Sequence, residues 1–260
     1  MTVNRLVAYR DSLAIMTADA PTILATSGGI VPGRRIRWEL GPLTEYAIEL
    51  SGVSGRAPRV CFVATALGDN PFTLNCFAEA AQYRGLAGSH LALFPMPNVE
   101  DVRDHLLAQD VVWVTGGSVA GLLAMWDLHG VGAAMREAWQ AGVVLTGVSA
   151  GSICWHAGGT TDSFGPDLRP ITNGLGFIPY ANGVHYDSEE QRRPLFHSLI
   201  ADGTLPAGYA TDDGVGVVYR GTEMVEAVTE KDGKGADVVE RGPDGPAGAA
   251  VETRLEPRRL

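Results

Sequence analysis

The sequence predicts an α/β fold in which helices cover both faces of a mostly parallel central sheet. Short apolar runs alternate with amphipathic segments up to about residue 150, which is the pattern that parallel sheets produce. One run, Val111–Val114, is apolar at every position, as expected of a strand buried on both faces. The 260 residues are enough for one large domain, and no repeat or linker divides them.

The first half of the chain is expected to supply five strands and four helices. The strands are expected at Thr22–Ala25, Val60–Ala64, His90–Phe94, Val111–Val114 and Val143–Thr146. The helices are expected at Glu45–Leu50, Phe72–Tyr83, Val99–Ala108 and Val119–Ala141. Pro71 and Pro97 stand near the start of two of these helices, where proline is well tolerated.

The second half is less regular. Residues 157–184 are rich in Gly, Thr, Asp and Pro and predict loops with short strands. Beyond them we expect a helix at Glu189–Ile200 and strands at Tyr209–Tyr219, Glu223–Thr229 and Val238-Val239. Residues 1–20 are interpreted as an N-terminal extension and residues 241–260 as a flexible tail of a single domain, 1–260.

Composition excludes several classes of function. A net charge of −10 argues against a nucleic-acid surface, and no run approaches the ~18 apolar residues of a membrane span. Residues 1–20 lack the apolar core of a signal peptide. The three cysteines are an odd, widely spaced set, so we expect free thiols and a cytoplasmic protein.

A GxSxG pentapeptide, Gly147–Gly151, directly follows the apolar run Val143–Leu145. Such a pattern can hold a serine oxygen exposed between a strand and a helix, with glycines supplying space and unusual backbone angles. Ser149 is therefore the candidate nucleophile. The alternative is an ordinary strand-to-helix turn, because Gly, Ala and Ser are common residues.

His185 is the candidate general base for Ser149. It lies in a loop-like stretch, and loops at the carboxyl edge of a parallel sheet are where α/β sites collect. His156 is expected two helical turns beyond Ser149, too far along the helix to bond the serine. The other four histidines, His90, His105, His129 and His197, fall in or beside regular elements.

An acid is needed to orient the base, and three aspartates are candidates. Asp213 lies at a turn between two apolar runs, whereas Asp162 and Asp167 are closer in sequence to Ser149. Any of them could instead be a turn former or a helix cap. The residues alone leave this choice open.

An oxyanion hole could form from backbone N–H groups. Ala150 follows the candidate nucleophile, and Thr115–Ser118 is a glycine-containing loop after a buried strand. Neither the P-loop nor the GxGxxG pattern occurs, so no phosphate cofactor is expected. Cys154 and His156 lack partners at metal spacing, so no metal is expected either.

Four segments together resemble the peptidase E family, serine peptidases similar to aspartyl dipeptidase and more distantly to cyanophycinase. The resemblance spans roughly residues 22–230 and rests on Val114–Ser118, Gly147–Ser152, Gly176–Pro179 with His185-Tyr186, and Asp212–Gly214. It implies a three-layer α/β/α sandwich similar to class I glutamine amidotransferases. Those enzymes carry cysteine where this chain has Ser149, which disfavours amidotransfer.

The resemblance also implies roles for residues. Ser149 matches the nucleophile, His185 the base, and Gly117 and Ala150 the oxyanion amides. Asp213 matches the third member, which is glutamate in the best-known enzymes. Asp162, in a Thr-Thr-Asp context, is a supporting residue or a rival for the same role.

The sequence departs from the family pattern at a position that bears on substrate preference. Members specific for N-terminal aspartate use an arginine ahead of a Glu-Gln-Arg run, and this chain has Glu189 there. A carboxylate at that position would repel the substrate acid. Arg192, Arg193 and Arg169 are the candidates that could substitute, or they are solvated surface residues.

The resulting functional prediction is a serine exopeptidase acting on short peptides, with Asp-X dipeptides as the first substrate to test. The resemblance further implies a homodimer. The alternatives are an α/β-hydrolase-type esterase, a cyanophycinase-like peptidase and a non-catalytic binding protein on the same fold. The esterase normally has its triad in the order serine, acid, histidine, which His185 followed by Asp213 does not match.

Overall fold

In a computed structural model of the chain, residues 18–243 and 248–260 are described. The expected N-terminal extension therefore lies outside the described residues except for residues 18–20. Residues 244–247 of the expected tail also lie outside them.

The strands are short and most of the helices are of two to four turns. The strands are β1 Thr22–Thr26, β2 Ile30–Pro32, β3 Trp38–Leu40, β4 Arg59–Val63, β5 Ala87–Leu91, β6 Val111–Val114, β7 Val144–Val148, β8 His156–Thr161, β9 Arg169–Ile171, β10 Ile178–Gly183, β11 Gly208–Thr211, β12 Val215–Arg220, β13 Glu223–Thr229, β14 Ala236–Arg241, β15 Ala250–Leu255 and β16 Arg258–Arg259. The helices are α1 Pro42–Leu50, α2 Pro71–Arg84, α3 Val102–Leu107, α4 Val119–Leu128, α5 Val131–Gln140, α6 Ala150–Ile153 and α7 Arg192–Ala201, with a 3-10 turn at Thr65–Leu67.

A large sheet of eight strands has the order β16-β13-β12-β1-β7-β6-β4-β5. The run from β1 to β5 is parallel, while β12 joins β1 and β13 joins β12 in antiparallel fashion. The predicted α/β fold with a mostly parallel central sheet is therefore confirmed. Because β1, β4, β6 and β7 run in the same direction, the loops that follow them meet at one edge of this sheet.

Helices pack on both faces of this sheet, because successive residues of its central strands belong alternately to two apolar clusters. Val63 and Val114 face the helix that contains Trp126, in one apolar cluster. Their neighbours Phe62 and Trp113 face the opposite way and pack with Phe77 of α2 in a second cluster. Because both faces of these strands are covered, an apolar residue is needed at every position.

A second sheet of six strands, in the order β15-β14-β11-β10-β8-β9, was not expected from the sequence. Residues 157–184, predicted as loops with short strands, supply most of β8 and all of β9 and β10. The sequence does not show these strands as apolar runs, because glycines occupy positions where neighbouring strands approach closely. A Cβ on Gly158 would lie 2.1 Å from the Ile171 carbonyl oxygen, and one on Gly159 would lie 2.3 Å from that of Asn182.

The predicted flexible tail is wrong for residues 250–259. β15 pairs antiparallel with β14 over six residues, and β16 pairs with β13. The stretch predicted as a short strand at Val238-Val239 is the centre of the longer strand β14. Backbone hydrogen bonds to neighbouring strands hold this part of the chain in place, and Ala250, Leu255 and Leu260 also pack against the apolar clusters.

Two other expectations about single elements are wrong. The long helix expected at Val119–Ala141 is two helices, because the chain turns at His129-Gly130 with Gly130 in the left-handed region at φ 66°. The strand expected at Tyr209–Tyr219 is also two strands, one in each sheet, separated by residues 212–214. In the described part of the chain, no helix has the length and apolarity needed to cross a bilayer.

Candidate active site

Ser149 stands between β7 and α6, in the left-handed region of backbone space at φ 56° and ψ −112°. A non-glycine residue in such a conformation is strained and is held there by its surroundings. Its N–H donates to the Thr26 carbonyl oxygen at 3.2 Å, which ties the turn to the end of β1. This is the geometry expected of a nucleophile elbow.

The glycines of the pentapeptide supply space rather than unusual angles. A Cβ on Gly151 would lie 2.3 Å from the Val114 carbonyl oxygen, and one on Gly147 would lie 2.5 Å from that of Gly151. Neither has a positive φ, so the unusual angle belongs to Ser149 itself. The sequence pattern is therefore needed for close packing of α6 against β6 and β7.

The loop after β6 runs beside Ser149. A Cβ on Gly116 would lie 3.2 Å from the Ser149 Cβ, and Gly117 has a φ of 126° with the Ala66 carbonyl oxygen only 2.4 Å from where its Cβ would stand. Within the described residues, no acceptor takes a hydrogen bond from the Gly117 N–H. The Ala150 N–H opens α6, where a helix offers no internal acceptor.

His185 and Asp213 are in direct contact. His185 follows β10 and Asp213 lies between β11 and β12, and their Nδ1 and Oδ1 atoms are 2.6 Å apart. His185 also has a left-handed backbone, with φ 52°. Of the three aspartates that the sequence left open, Asp213 is the one that the described structure brings to His185.

The end of β1 links the three loops that carry these side chains. Thr26 accepts from the Ser149 N–H, as noted above, and Ser27 Oγ accepts from the His185 N–H at 3.1 Å. The Ser27 carbonyl oxygen accepts from the Gly214 N–H at 2.8 Å. Sequence reasoning missed Ser27, although its position directly after a strand of the parallel sheet was a signal for it.

Asp187 is a second side chain that the sequence did not single out. Its Oδ1 accepts from the Asp213 N–H at 2.8 Å, and its other oxygen pairs with Lys234. Burial alone would raise the pKa of Asp187, but Lys234 and the donated N–H hold it below its usual value. Asp187 therefore stays ionised and fixes the backbone of Asp213.

Asp162 is close to His185 along the sheet but does not contact it. Gly159 of β8 pairs with Asn182 of β10, and Asp162 and His185 follow the carboxyl ends of these two neighbouring strands. Asp162 lines an open cavity of about 560 Å³ together with Gly165, Pro166, Leu168, Glu189, Glu190 and Gln191. The cavity borders the His185 loop, because the Glu189 N–H donates to the His185 carbonyl oxygen at 3.1 Å.

Of the three arginines considered for substrate binding, Arg192 and Arg193 are engaged in other contacts. Arg192 is only 2% exposed, and its guanidinium donates to Glu189 Oε2 at 2.8 Å and to the Thr160 carbonyl oxygen. Arg193 pairs with Glu252 and lies over the ring of Tyr186 at 4.5 Å. Arg169 is exposed on β9.

His156 is a buried structural residue. Contrary to the sequence expectation, α6 ends at Ile153 and His156 opens β8. Its Nδ1 lies 2.9 Å from the Ser152 carbonyl oxygen and its Nε2 lies 3.2 Å from the Tyr219 hydroxyl. Burial lowers its pKa to about 4, so it is neutral near pH 7.

Comparison with known proteins identifies the family. Residues 24–227 match the model of Peptidase family S51. The chain belongs to this family. The expected enzyme class, a peptidase of the peptidase E type, is thereby confirmed.

Two curated relatives carry peptidase names. The chain is 40% identical over 176 residues to the uncharacterized peptidase YgaJ of Bacillus subtilis, covering 68% of this peptidase and 75% of that protein. It is 28% identical over 159 residues to peptidase E of Shewanella denitrificans, covering 58% and 67% of the two chains.

Solved structures share the fold. A peptidase from an acI-B1 actinobacterium superimposes with a TM-score of 0.67 at 17% identity, covering 93% of this peptidase and 96% of that chain. A peptidase E protein described as putative, from Listeria monocytogenes, superimposes with a TM-score of 0.53 at 16% identity. The match covers 81% of this peptidase and 97% of that chain. At these identities the likeness concerns the fold alone.

Proposed function

We propose that this peptidase is a serine exopeptidase that hydrolyses short peptides through an acyl-enzyme, with Ser149, His185 and Asp213 as its triad. The observation that carries the proposal is the 2.6 Å contact between His185 Nδ1 and Asp213 Oδ1. The backbone N–H groups of Ser149, of His185 and of Gly214, which follows Asp213, all donate to Thr26 or Ser27 at the end of β1.

The proposed mechanism follows from the donors and acceptors. An ionised Asp213 can only accept, so His185 carries its proton on Nδ1 and leaves Nε2 free as a base. Nε2 takes the proton of the Ser149 hydroxyl as Oγ attacks the scissile carbonyl carbon. The N–H groups of Gly117 and Ala150 then receive the negative oxygen of the tetrahedral intermediate.

Breakdown of the intermediate completes the cycle. His185 donates its new proton to the leaving amine, and the carbon–nitrogen bond breaks to leave an ester on Ser149. A water molecule, deprotonated by His185, attacks that ester by the same route. The second peptide product leaves with a free carboxylate and the serine is regenerated.

Peptides with N-terminal aspartate remain the first substrates to test, on the resemblance to the peptidase E family. The surroundings of Glu189 weigh against them as the best substrates. Arg192 is buried against Glu189, and the neighbouring cavity presents Asp162, Glu189 and Glu190. We expect uncharged N-terminal residues to be preferred over aspartate, because like charges repel in a partly enclosed site.

A panel of dipeptides and tripeptides, assayed with wild type and Ser149→Ala, tests the proposal. We expect turnover in wild type, none in the variant, and covalent labelling of Ser149 by a fluorophosphonate. Unchanged turnover in Ser149→Ala would refute the serine mechanism. Faster hydrolysis of p-nitrophenyl esters than of every peptide would favour the esterase alternative instead.

We also propose a cytoplasmic location and a homodimer. The first is supported by Cys61, Cys76 and Cys154, which are buried free thiols of the kind that a reducing compartment maintains. The second is carried over from the family resemblance. Fractionation and light scattering would test them.

A further inference from the structure

The edge strand β15 lies outside the part of the chain that matches the family model, which ends at residue 227. It pairs with β14 over its whole length, with Glu252 opposite Val239 and Arg254 opposite Asp237. Glu252 and Arg254 are two residues apart, so their side chains leave the same face of the strand. Each reaches a residue that is the immediate neighbour of a proposed triad member.

Glu252 reaches the loop of the proposed base. Its Oε2 accepts from the Tyr186 hydroxyl at 2.9 Å and lies 2.8 Å from His197 Nε2. Tyr186 is 3% exposed and directly follows His185. Burial and the Glu252 carboxylate both raise the pKa of Tyr186, so its hydroxyl keeps the proton that it donates.

Arg254 reaches the loop of the proposed acid. Its guanidinium bridges two buried carboxylates, Asp212 and Asp237, with the contact to Asp237 Oδ2 at 2.7 Å. Asp212 is 3% exposed and directly precedes Asp213. The Asp212 Oδ1 atom has no hydrogen-bond partner in the described structure, so Arg254 is its main source of charge compensation.

The two contacts act on two loops that come from different strands. Tyr186 belongs to the loop after β10, and Asp212 belongs to the turn between β11 and β12. The distance between His185 Nδ1 and Asp213 Oδ1 depends on how these loops are placed relative to each other. A single strand that contacts both loops therefore adds to the backbone contacts of Ser27 and Asp187 in holding that distance.

From these contacts we infer that β15 positions the proposed base and acid, through Glu252 on Tyr186 and Arg254 on Asp212. The inference rests on the proposed function, because it assigns a role to β15 only if His185 and Asp213 act on Ser149. Glu252 and Arg254 are positioning residues: neither is part of the proposed chemistry. Loosening either contact lowers the fraction of molecules with the base correctly oriented.

Three variants of the full chain test this inference. Tyr186→Phe removes only the hydroxyl that Glu252 binds, Arg254→Met removes the bridging charge, and Arg254→Lys restores the charge without the two-carboxylate bridge. Arg258→Gln is the matched control, because Arg258 of β16 pairs with Glu226 of β13 in the eight-stranded sheet and, in the described structure, its side chain bonds neither loop. Each protein is assayed for kcat, KM, thermal midpoint and rate of labelling by a fluorophosphonate.

We expect kcat and the labelling rate to fall by about 10- to 100-fold in Arg254→Met and by about 3- to 10-fold in Tyr186→Phe, with KM changed less than about twofold. Arg254→Lys should recover part of the loss, and Arg258→Gln should match wild type. Wild-type kcat in both Tyr186→Phe and Arg254→Met would overturn the inference. So would equal losses in Arg254→Met and Arg258→Gln.

Ser149→Ala separates failure of the inference from failure of the proposed function. If Ser149→Ala is inactive while the β15 variants behave as wild type, only the inference is refuted. If Ser149→Ala retains activity, the serine mechanism fails and the inference fails with it. Because Tyr186→Phe removes a single oxygen atom, it keeps the test decisive even if Arg254→Met does not fold.

Discussion

Asp213 Oδ1 lies 2.6 Å from His185 Nδ1, although 28 residues separate them in the chain. The contact is made across two parallel strands of the second sheet, since His185 follows β10 and Asp213 follows β11. Asp162 follows β8 on the other side of β10 and makes no such contact. The histidine thus stands between two acids but bonds only one of them.

This asymmetry sets the first prediction. Asp213→Asn keeps the shape of the side chain but can donate to His185 Nδ1, which favours the tautomer with its proton on Nε2. We expect kcat to fall by about 10³-fold or more, with the fold intact. Asp162→Asn is the matched control and should lower kcat by less than about tenfold. The reverse ranking would transfer the triad role to Asp162.

The second prediction concerns Gly117. Alanine there meets two obstacles, a φ of 126° and the Ala66 carbonyl oxygen 2.4 Å from the new Cβ. We expect Gly117→Ala to shift the loop and lower kcat by about 10²-fold, because a proposed oxyanion donor is displaced. Gly85→Ala is a suitable control, since that glycine, at the end of α2, also has a positive φ but open space around it. Equal kcat values for the two variants would contradict this prediction.

The third prediction is a pH dependence of stability that comes from His156. Burial lowers its pKa from 6.5 to about 4, so between these values the unfolded chain binds a proton that the folded chain does not. Stability therefore falls as pH drops from about 6.5 to about 4, by up to about 3 kcal/mol from this group. Urea unfolding at several pH values between about 4 and about 6.5 measures this fall in stability. His156→Gln should show a shallower pH dependence, and an unchanged slope would exclude His156 as its source.

The fourth prediction concerns substrate charge. Glu189→Gln removes a carboxylate from the cavity and leaves Arg192 without its ion-pair partner. We expect the ratio of kcat/KM for Asp-Leu to that for Ala-Leu to rise by about tenfold, which corresponds to about 1.4 kcal/mol. Glu190→Gln removes a carboxylate without freeing an arginine and should raise the ratio less. A ratio that does not change in Glu189→Gln would mean that this cavity does not bind the N-terminal residue.

The sequence predicted the large sheet better than the second one for a physical reason. Runs such as Val111–Val114 are buried on both faces and carry an apolar signal at every residue. The strand β8 contains Gly158 and Gly159, which are required by close approach of neighbouring chains and leave no apolar pattern. Likewise β15 lies at a sheet edge and reads Ala-Val-Glu-Thr-Arg-Leu, a mixture of apolar and polar residues without the period-two alternation that predicts a strand.

The candidate site was predicted to the extent that its residues follow strands of a parallel sheet. Ser149, His185 and Asp213 could be proposed on that ground and from the family resemblance. Without the family resemblance, the residues alone could not decide among the three aspartates, because that choice depends on which strands are neighbours in the second sheet. Ser27 and Asp187 act through the backbones of other residues, and a local sequence pattern does not carry such contacts.

Ser149 and His185 are two of the three non-glycine residues with positive φ in the described chain, the third being Asp69. Each such conformation costs about 1–3 kcal/mol, which is a sizeable part of the net stability of a domain. At these two positions the conformation that the proposed activity needs therefore lowers the free energy of unfolding. Under the proposed mechanism, glycine at residue 149 would relieve the backbone strain and remove the nucleophile, so a single substitution would give a more stable and inactive protein.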